Sequence, residues 1–116
     1  MSTARDHKRK AAHNQNFLEA IDKKLFPDWF VAVAFYKAVH LVEALFASQD
    51  TKHSGNHRER HDLLKTKYPT IWKDYLPLYS QSRRARYRTR PISDETVEYV
   101  SRRLRNVESG IEEIAI

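Results

Sequence analysis

The chain has 116 residues, no cysteine and a formal net charge of +6, which together indicate a single basic domain. The lack of cysteine excludes disulfides, thiolate zinc ligands and a cysteine nucleophile, and it suits a reducing, cytoplasmic location. The positive charge favours a polyanionic partner, such as RNA, DNA, a nucleotide or an anionic membrane surface, or else serves only solubility. Since the chain has no apolar leader and no uninterrupted apolar run of about 18 residues, we expect no secretory signal and no membrane partner.

Five helices are predicted from the apolar spacing and from the few glycines and prolines. Their predicted bounds are Ala4–Leu25, Asp28–Ala47, Asn56–Tyr68, Pro69–Tyr87 and Asp94–Ile114. Residues 1–13 are interpreted as a basic N-terminal extension that begins the first helix, and residues 14–116 as one bundle domain. Pro77 is expected to kink or split the fourth helix. Because no strand-like alternation occurs and the connections are short, the predicted fold is all-α, an up-and-down antiparallel bundle of four to five helices.

The fifth helix carries the clearest apolar seam. Ser93 is a plausible N-cap, and apolar residues recur from Val97 to Ile114 in steps of three and four. Such a seam serves either a bundle core or a subunit interface. One hypothesis is therefore a structural homodimer with Leu104 in its interface.

Polar side chains interrupt the apolar second helix. Tyr36, His40 and Glu43 stand at i, i+4 and i+7, so they share one face. Burying such groups is costly without hydrogen bonds. The stripe therefore predicts either an internal polar network or a polar pocket.

Histidines mark the start of the third helix. His53, His57 and His61 are spaced four apart, and a pair at i, i+4 can share a metal. Arg58 stands where the zinc-binding signature has glutamate, so no metal or other cofactor is predicted. His57 and His61 are instead candidates for acid–base work, with Arg58 or Arg60 holding a phosphate. The alternative is a merely polar helix start.

Arginines crowd the end of the fourth helix. Five arginines fall within eight residues, and no acid occurs between Asp74 and Asp94. Arginine binds phosphate in a bidentate manner and stacks on bases, as tyrosine also does. The alternative is a solvated helix end, where cations complement the dipole. The candidate nucleic-acid-binding residues are Arg83, Arg84, Arg86, Tyr87, Arg88 and Arg90.

Several of these motifs, in this order, resemble HEPN domains over about residues 14 to 114. The similar segments are Trp29-Phe30 with Tyr36, His40 and Ala44-Leu45; Ser54, His57 and Arg60 followed by Leu63-Leu64; and Tyr75, Leu78 and the run Ser82 to Tyr87. The resemblance implies a helical bundle that is commonly dimeric. It also implies either a metal-independent endoribonuclease of toxin–antitoxin, phage-defence or CRISPR systems, or an inactive partner that binds RNA or a nucleotide.

The usual catalytic motif of that family is absent here. It consists of arginine, four to six residues and then histidine, whereas Arg9 and His13 are one residue too close and Arg58 and His61 closer still. We therefore expect a module that binds RNA or a nucleotide, or an operon-encoded protein partner. A ribonuclease with a non-standard site at His57, Arg58 and His61 is the alternative.

Overall fold

The computed structural model describes residues 2–49 and 54–115, which form five helices. These are α1 (Ala4–Ala20), α2 (Pro27–Gln49), α3 (His57–Lys67), α4 (Pro69–Tyr87) and α5 (Asp94–Ala115). The predicted all-α bundle is confirmed, and the described segments contain no strand. His53 lies outside the described residues.

Side-chain caps explain where several helices begin. The Thr3 hydroxyl and the Asp6 carboxylate form a reciprocal capping box at α1. The Asn56 side chain accepts from the backbone N–H of Glu59 at 2.9 Å and starts α3. The predicted cap of α5 is confirmed, because the Ser93 hydroxyl accepts from the backbone N–H of Thr96 at 3.1 Å.

Two predicted features of the helices are corrected. α1 ends at Ala20 rather than Leu25, because the Asp22 carboxylate accepts from the backbone N–H groups of Lys24 at 2.9 Å and Leu25 at 3.2 Å. Those bonds form a local turn that competes with helix. Of the two outcomes expected for Pro77, the split is wrong because the residue lies inside α4, and the kink stays a prediction.

The apolar α2 is the centre of the bundle, and it packs against α1, α4 and α5. Phe35, Ala38 and Val42 are fully buried. α2 is also long and apolar enough to cross a bilayer, but 67% of its most apolar window is buried within the bundle. That burial suits the core helix of a globular domain.

Contacts along the helices set their directions. Phe35 contacts Tyr79, with ring centroids 5.6 Å apart, whereas Pro27 lies beside Arg88; α4 therefore runs antiparallel to α2. The short α3 departs from simple alternation: Phe35 contacts His57 and Phe46 contacts Tyr68. α3 therefore runs in the same direction as α2 and lies beside α4.

The seam of α5 belongs to the core of this chain. Val97, Val100, Leu104 and Val107 are all buried within the chain itself. This part of the seam is therefore occupied by the chain's own core, whereas Ile114 at its C-terminal end is 36% exposed, and a homodimer stays a prediction.

Candidate nucleic-acid interface

Parts of the three polar regions of the sequence meet where α2, α3 and α4 come together. Glu43 of α2 pairs with Arg60 of α3, Nε to Oε1 at 2.9 Å. Arg86 of α4 donates from Nη1 to the Tyr36 hydroxyl of α2 at 3.3 Å. His57 of α3 lies close enough to Arg83 and Arg86 for both to lower its pKa. Residues spread over half of the sequence thus share one side of the bundle.

A buried ion pair attaches α3 to α2. Glu43 and Arg60 are only 4% and 8% exposed, and the Ser54 hydroxyl also donates to Glu43 Oε1. A buried charge needs a partner of this kind, because water no longer solvates it. Arg60 therefore has a structural role as the partner of Glu43, and the suggestion that it holds a phosphate is wrong.

The same arginine fixes the tautomer of His57. Arg60 Nη1 lies 2.9 Å from His57 Nδ1, and a guanidinium can only donate. Nδ1 must accept, so the neutral ring carries its proton on Nε2. Partial burial and the charges of Arg60, Arg86 and Arg83 lower the pKa of His57. His57, whose side chain is exposed, therefore presents a neutral N–H donor to the solvent.

His61 belongs to an aromatic cluster rather than to an open site. Its ring meets Tyr79 edge-on at 4.6 Å between centroids and lies 5.0 Å from Trp72. Burial, with help from His57 and Arg60, lowers the pKa of His61 to about 4. Its Nε2 is buried and has no hydrogen-bond partner among the described residues. This environment keeps the imidazole neutral and closes that nitrogen to a substrate.

Tyr75 lies beneath the same cluster. Its hydroxyl is buried close to the Arg60 guanidinium but forms no hydrogen bond of good geometry with the described residues. Burial raises the pKa of Tyr75 to about 12, although the positive charge of Arg60 opposes the rise. The side chain is therefore a neutral part of the core.

Arg58, the third member of the catalytic hypothesis, does not join this arrangement. It is exposed, and it makes no hydrogen bond or ion pair within residues 2–49 and 54–115. Over the same ranges, no three histidine or carboxylate side chains converge as metal ligands. Arg60 is the cation in direct contact with His57, and the charges of Arg86 and Arg83 lower its pKa further.

The stripe residue His40 faces α1 instead of His57. Its Nδ1 lies 3.0 Å from Nδ1 of His7, so one ring must donate and the other accept. Burial, His7, Lys10 and Arg60 lower the pKa of His40, while Glu43 opposes the shift. His40 therefore helps to join α1 to α2, whereas Tyr36 and Glu43 of the same stripe face α4 and α3.

The end of α4 presents the arginines on an open surface. A groove of about 400 Å³ is lined by Tyr79, Ser80, Arg83, Arg84, Tyr87 and Arg88. Arg83 lies over the Tyr79 ring at 5.8 Å and donates to the Tyr79 hydroxyl at 3.2 Å. Arg90 lies beyond the helix end and lines a smaller hollow of about 190 Å³ that it shares with Arg88. Cations and aromatic rings thus line one continuous face.

Sequence reasoning did not identify three contributors to this region. These are Tyr75 and Tyr79, which contact His61, and His7, which contacts His40. The spacing of Tyr75 and Tyr79 indicates a shared helix face but not which neighbour it meets. The bond between His7 and His40 joins residues 33 positions apart, and no local pattern predicts it.

Comparison of the chain with models of known protein families, with curated proteins and with solved structures found no match.

Proposed function

We propose that this chain is a HEPN-like helical module that binds RNA or a nucleotide through the C-terminal half of α4. The observation that carries the proposal is the groove beside Arg83, Arg84 and Arg88, which is rich in cations and has tyrosines in its wall. No acid occurs in the sequence between Asp74 and Asp94, although Asp28 of α2 lines the neighbouring hollow with Arg88 and Arg90. Arg83, Arg84 and Arg88 form no ion pair within the described residues, and guanidinium groups of this kind suit the phosphates of a polyanion.

Binding fits the histidines better than catalysis does. With Nδ1 accepting from Arg60, neutral His57 has no free lone pair toward the solvent and cannot take a proton from a substrate hydroxyl. Its Nε2–H can still donate to a phosphate oxygen. His61 is enclosed among aromatic rings. A role in RNA binding therefore needs no rearrangement of this region.

The order of motifs that resembles HEPN domains, together with the five-helix bundle, supports the rest of the proposal. We propose a cytoplasmic protein that acts in a bacterial defence or toxin–antitoxin type system. Its partners would be RNA or a nucleotide, a second copy of the chain and an operon-encoded protein. Co-purification from the native host, followed by mass spectrometry, would test the protein partner.

The direct test of binding uses charge reversal with a matched control. Arg84→Glu with Arg88→Glu changes two exposed cations in the groove, and Arg102→Glu with Arg105→Glu changes two exposed cations on α5. The first pair should weaken binding to a labelled RNA and reduce the slope of log K against log salt by about 1.4, at roughly 0.7 per lost contact on a single strand. The control pair should leave that slope nearly unchanged. Equal effects would mean that binding follows net charge rather than this face.

The alternative is a metal-independent endoribonuclease, and its support is the exposure of His57 beside Arg83 and Arg86. Purified protein incubated with total RNA and EDTA would decide this point. Cleavage that disappears in His57→Ala would establish the enzyme. Intact RNA that is nevertheless retained in a gel shift would establish binding alone.

A further inference from the structure

Arg86 lies near the rings of two tyrosines that come from different helices. Its guanidinium carbon is 5.8 Å from the centre of the Tyr36 ring and 5.3 Å from that of Tyr87. Its Nη1 donates to the Tyr36 hydroxyl, and its Nε donates weakly to the carbonyl of Ser82 at 3.4 Å. The guanidinium is therefore held by two hydrogen bonds within reach of two aromatic rings.

Neither ring belongs to the buried core cluster. Tyr87 is 73% exposed and Tyr36 is 38% exposed, so each presents aromatic surface to the solvent. Exposed apolar surface beside fixed cations is typical of binding sites rather than of scaffolding.

A second arginine–tyrosine pair in the same chain provides a contrast. Arg103 lies 5.0 Å from the ring of Tyr99 on α5, but it also binds the buried Asp74 carboxylate at 2.8 Å. That pair is explained by packing of α5 on α4. Arg86 makes no ion pair within the described residues, so its charge is available to a ligand.

We infer that Tyr36, Arg86 and Tyr87 form a nucleobase-binding subsite that takes an unpaired base. The base would stack on the open face of Tyr87, and the phosphates on either side would lie against Arg83 and Arg84 in the adjoining groove. Aromatic side chains and arginine stack on any base, but they reach only bases that are not already paired inside a duplex. The inference rests on the proposed function and narrows its ligand to single-stranded nucleic acid.

The test separates stacking from charge. Fluorescence anisotropy would measure binding of a labelled single-stranded oligouridine of 12 nucleotides, of a 12-base-pair RNA duplex and, in competition, of uridine monophosphate. The variants are Tyr87→Leu and Tyr36→Leu, with Tyr87→Phe retaining the ring and Tyr99→Leu as the matched control. Circular dichroism would confirm that each variant is folded.

Loss of one stacked base should weaken binding to the single strand by about 5- to 100-fold in Tyr87→Leu. The slope of log K against log salt should not change, because no charge is removed. Tyr87→Phe and Tyr99→Leu should bind like wild type, and the duplex should bind more weakly than the single strand. Competition by the mononucleotide would indicate that one base with its phosphate fills the subsite.

Two results would overturn the inference, and they are distinguishable. If wild type binds RNA with the expected salt dependence but single strand and duplex bind equally, and Tyr87→Leu has no effect, the subsite is wrong and the basic groove stands. If wild type binds no RNA, or if Arg84→Glu with Arg88→Glu leaves binding unchanged, the proposed function fails and the subsite fails with it.

Discussion

Removing one partner of the buried ion pair between Glu43 and Arg60 should destabilise the whole domain. The two groups meet at 2.9 Å and have side-chain exposures of 5% and 10%. Arg60→Leu would leave the Glu43 carboxylate inside the protein with its main cation removed. Breaking such a pair from one side costs about 3–5 kcal/mol, out of a total stability of roughly 5–15 kcal/mol for a domain.

The assay is urea unfolding followed by circular dichroism at neutral pH. Arg60→Leu and Glu43→Leu should each lower the free energy of unfolding by about 3 kcal/mol or more, whereas the double variant should recover most of the loss because no charge is then buried unpaired. If each single variant loses less than about 1 kcal/mol of the free energy of unfolding, or if the two losses simply add in the double variant, the buried pair does not stabilise the domain in this way.

Loss of Arg60 should also affect the candidate interface, because Arg60 helps to hold α3 in place. It fixes His57 through Nδ1, and it is one of only two residues of α3 that are buried. Hydrogen exchange should therefore accelerate in α3 of Arg60→Leu more than in α5. Protection that falls equally in both helices would mean that the pair stabilises the domain without specifically attaching α3.

Three further predictions concern pH, the core and a cap. Folded His61 has a pKa of about 4, against about 6.5 in the unfolded chain. The free energy of unfolding should therefore be greatest above pH 6.5 and fall as the pH drops toward 4, because the unfolded state then binds the extra proton. The urea midpoints at pH 7.5 and pH 4.5 should differ less in His61→Phe than in wild type. Leu104→Glu places a charge in the core and should lower the free energy of unfolding by about 4 kcal/mol or more. A thermal melt should therefore show an unfolded protein rather than a folded monomer released from a dimer. Asn56→Ala removes the cap of α3 and should cost about 1 kcal/mol; an unchanged melting temperature would show that the cap is not needed.

The sequence predicts the existence of the helices well because apolar spacing is a local property. The bounds of α4 match the prediction at both ends, since Pro69 fits only the first turn. The end of α1 does not match, because the Asp22 side chain forms a turn with the next residues. Whether a side chain will compete with the helical hydrogen bonds depends on geometry that spacing does not record.

The candidate interface was only partly predictable, for a different reason. The spacing of Tyr36, His40 and Glu43 indicates one shared face, but in the fold His40 turns to α1 while Glu43 binds Arg60. The contact that each side chain makes depends on which helix packs beside it. The arginines near the end of α4 could be recognised because nothing acidic lies near them in the sequence and they remain exposed in the fold. Local composition therefore identifies a charged surface more readily than a buried network.

The fold also explains why the histidines suggested catalysis. Two histidines four apart beside arginines are the residues that acid–base chemistry uses, and only the hydrogen bond from Arg60 shows that His57 is held as a donor. The enclosure of His61 by Tyr79 and Trp72 is likewise a tertiary feature. Composition alone does not distinguish these arrangements, and a role of the histidines in binding stays a prediction.

A salt titration of binding to a labelled single-stranded RNA tests whether the arginines of α4 bind nucleic acid. Wild type, Arg84→Glu with Arg88→Glu, and Arg102→Glu with Arg105→Glu would be compared side by side. We expect salt-dependent binding by wild type and the α5 control, with weaker binding and a flatter salt dependence only in the α4 variant. Absence of binding by wild type, or the same slope in all three proteins, would contradict it.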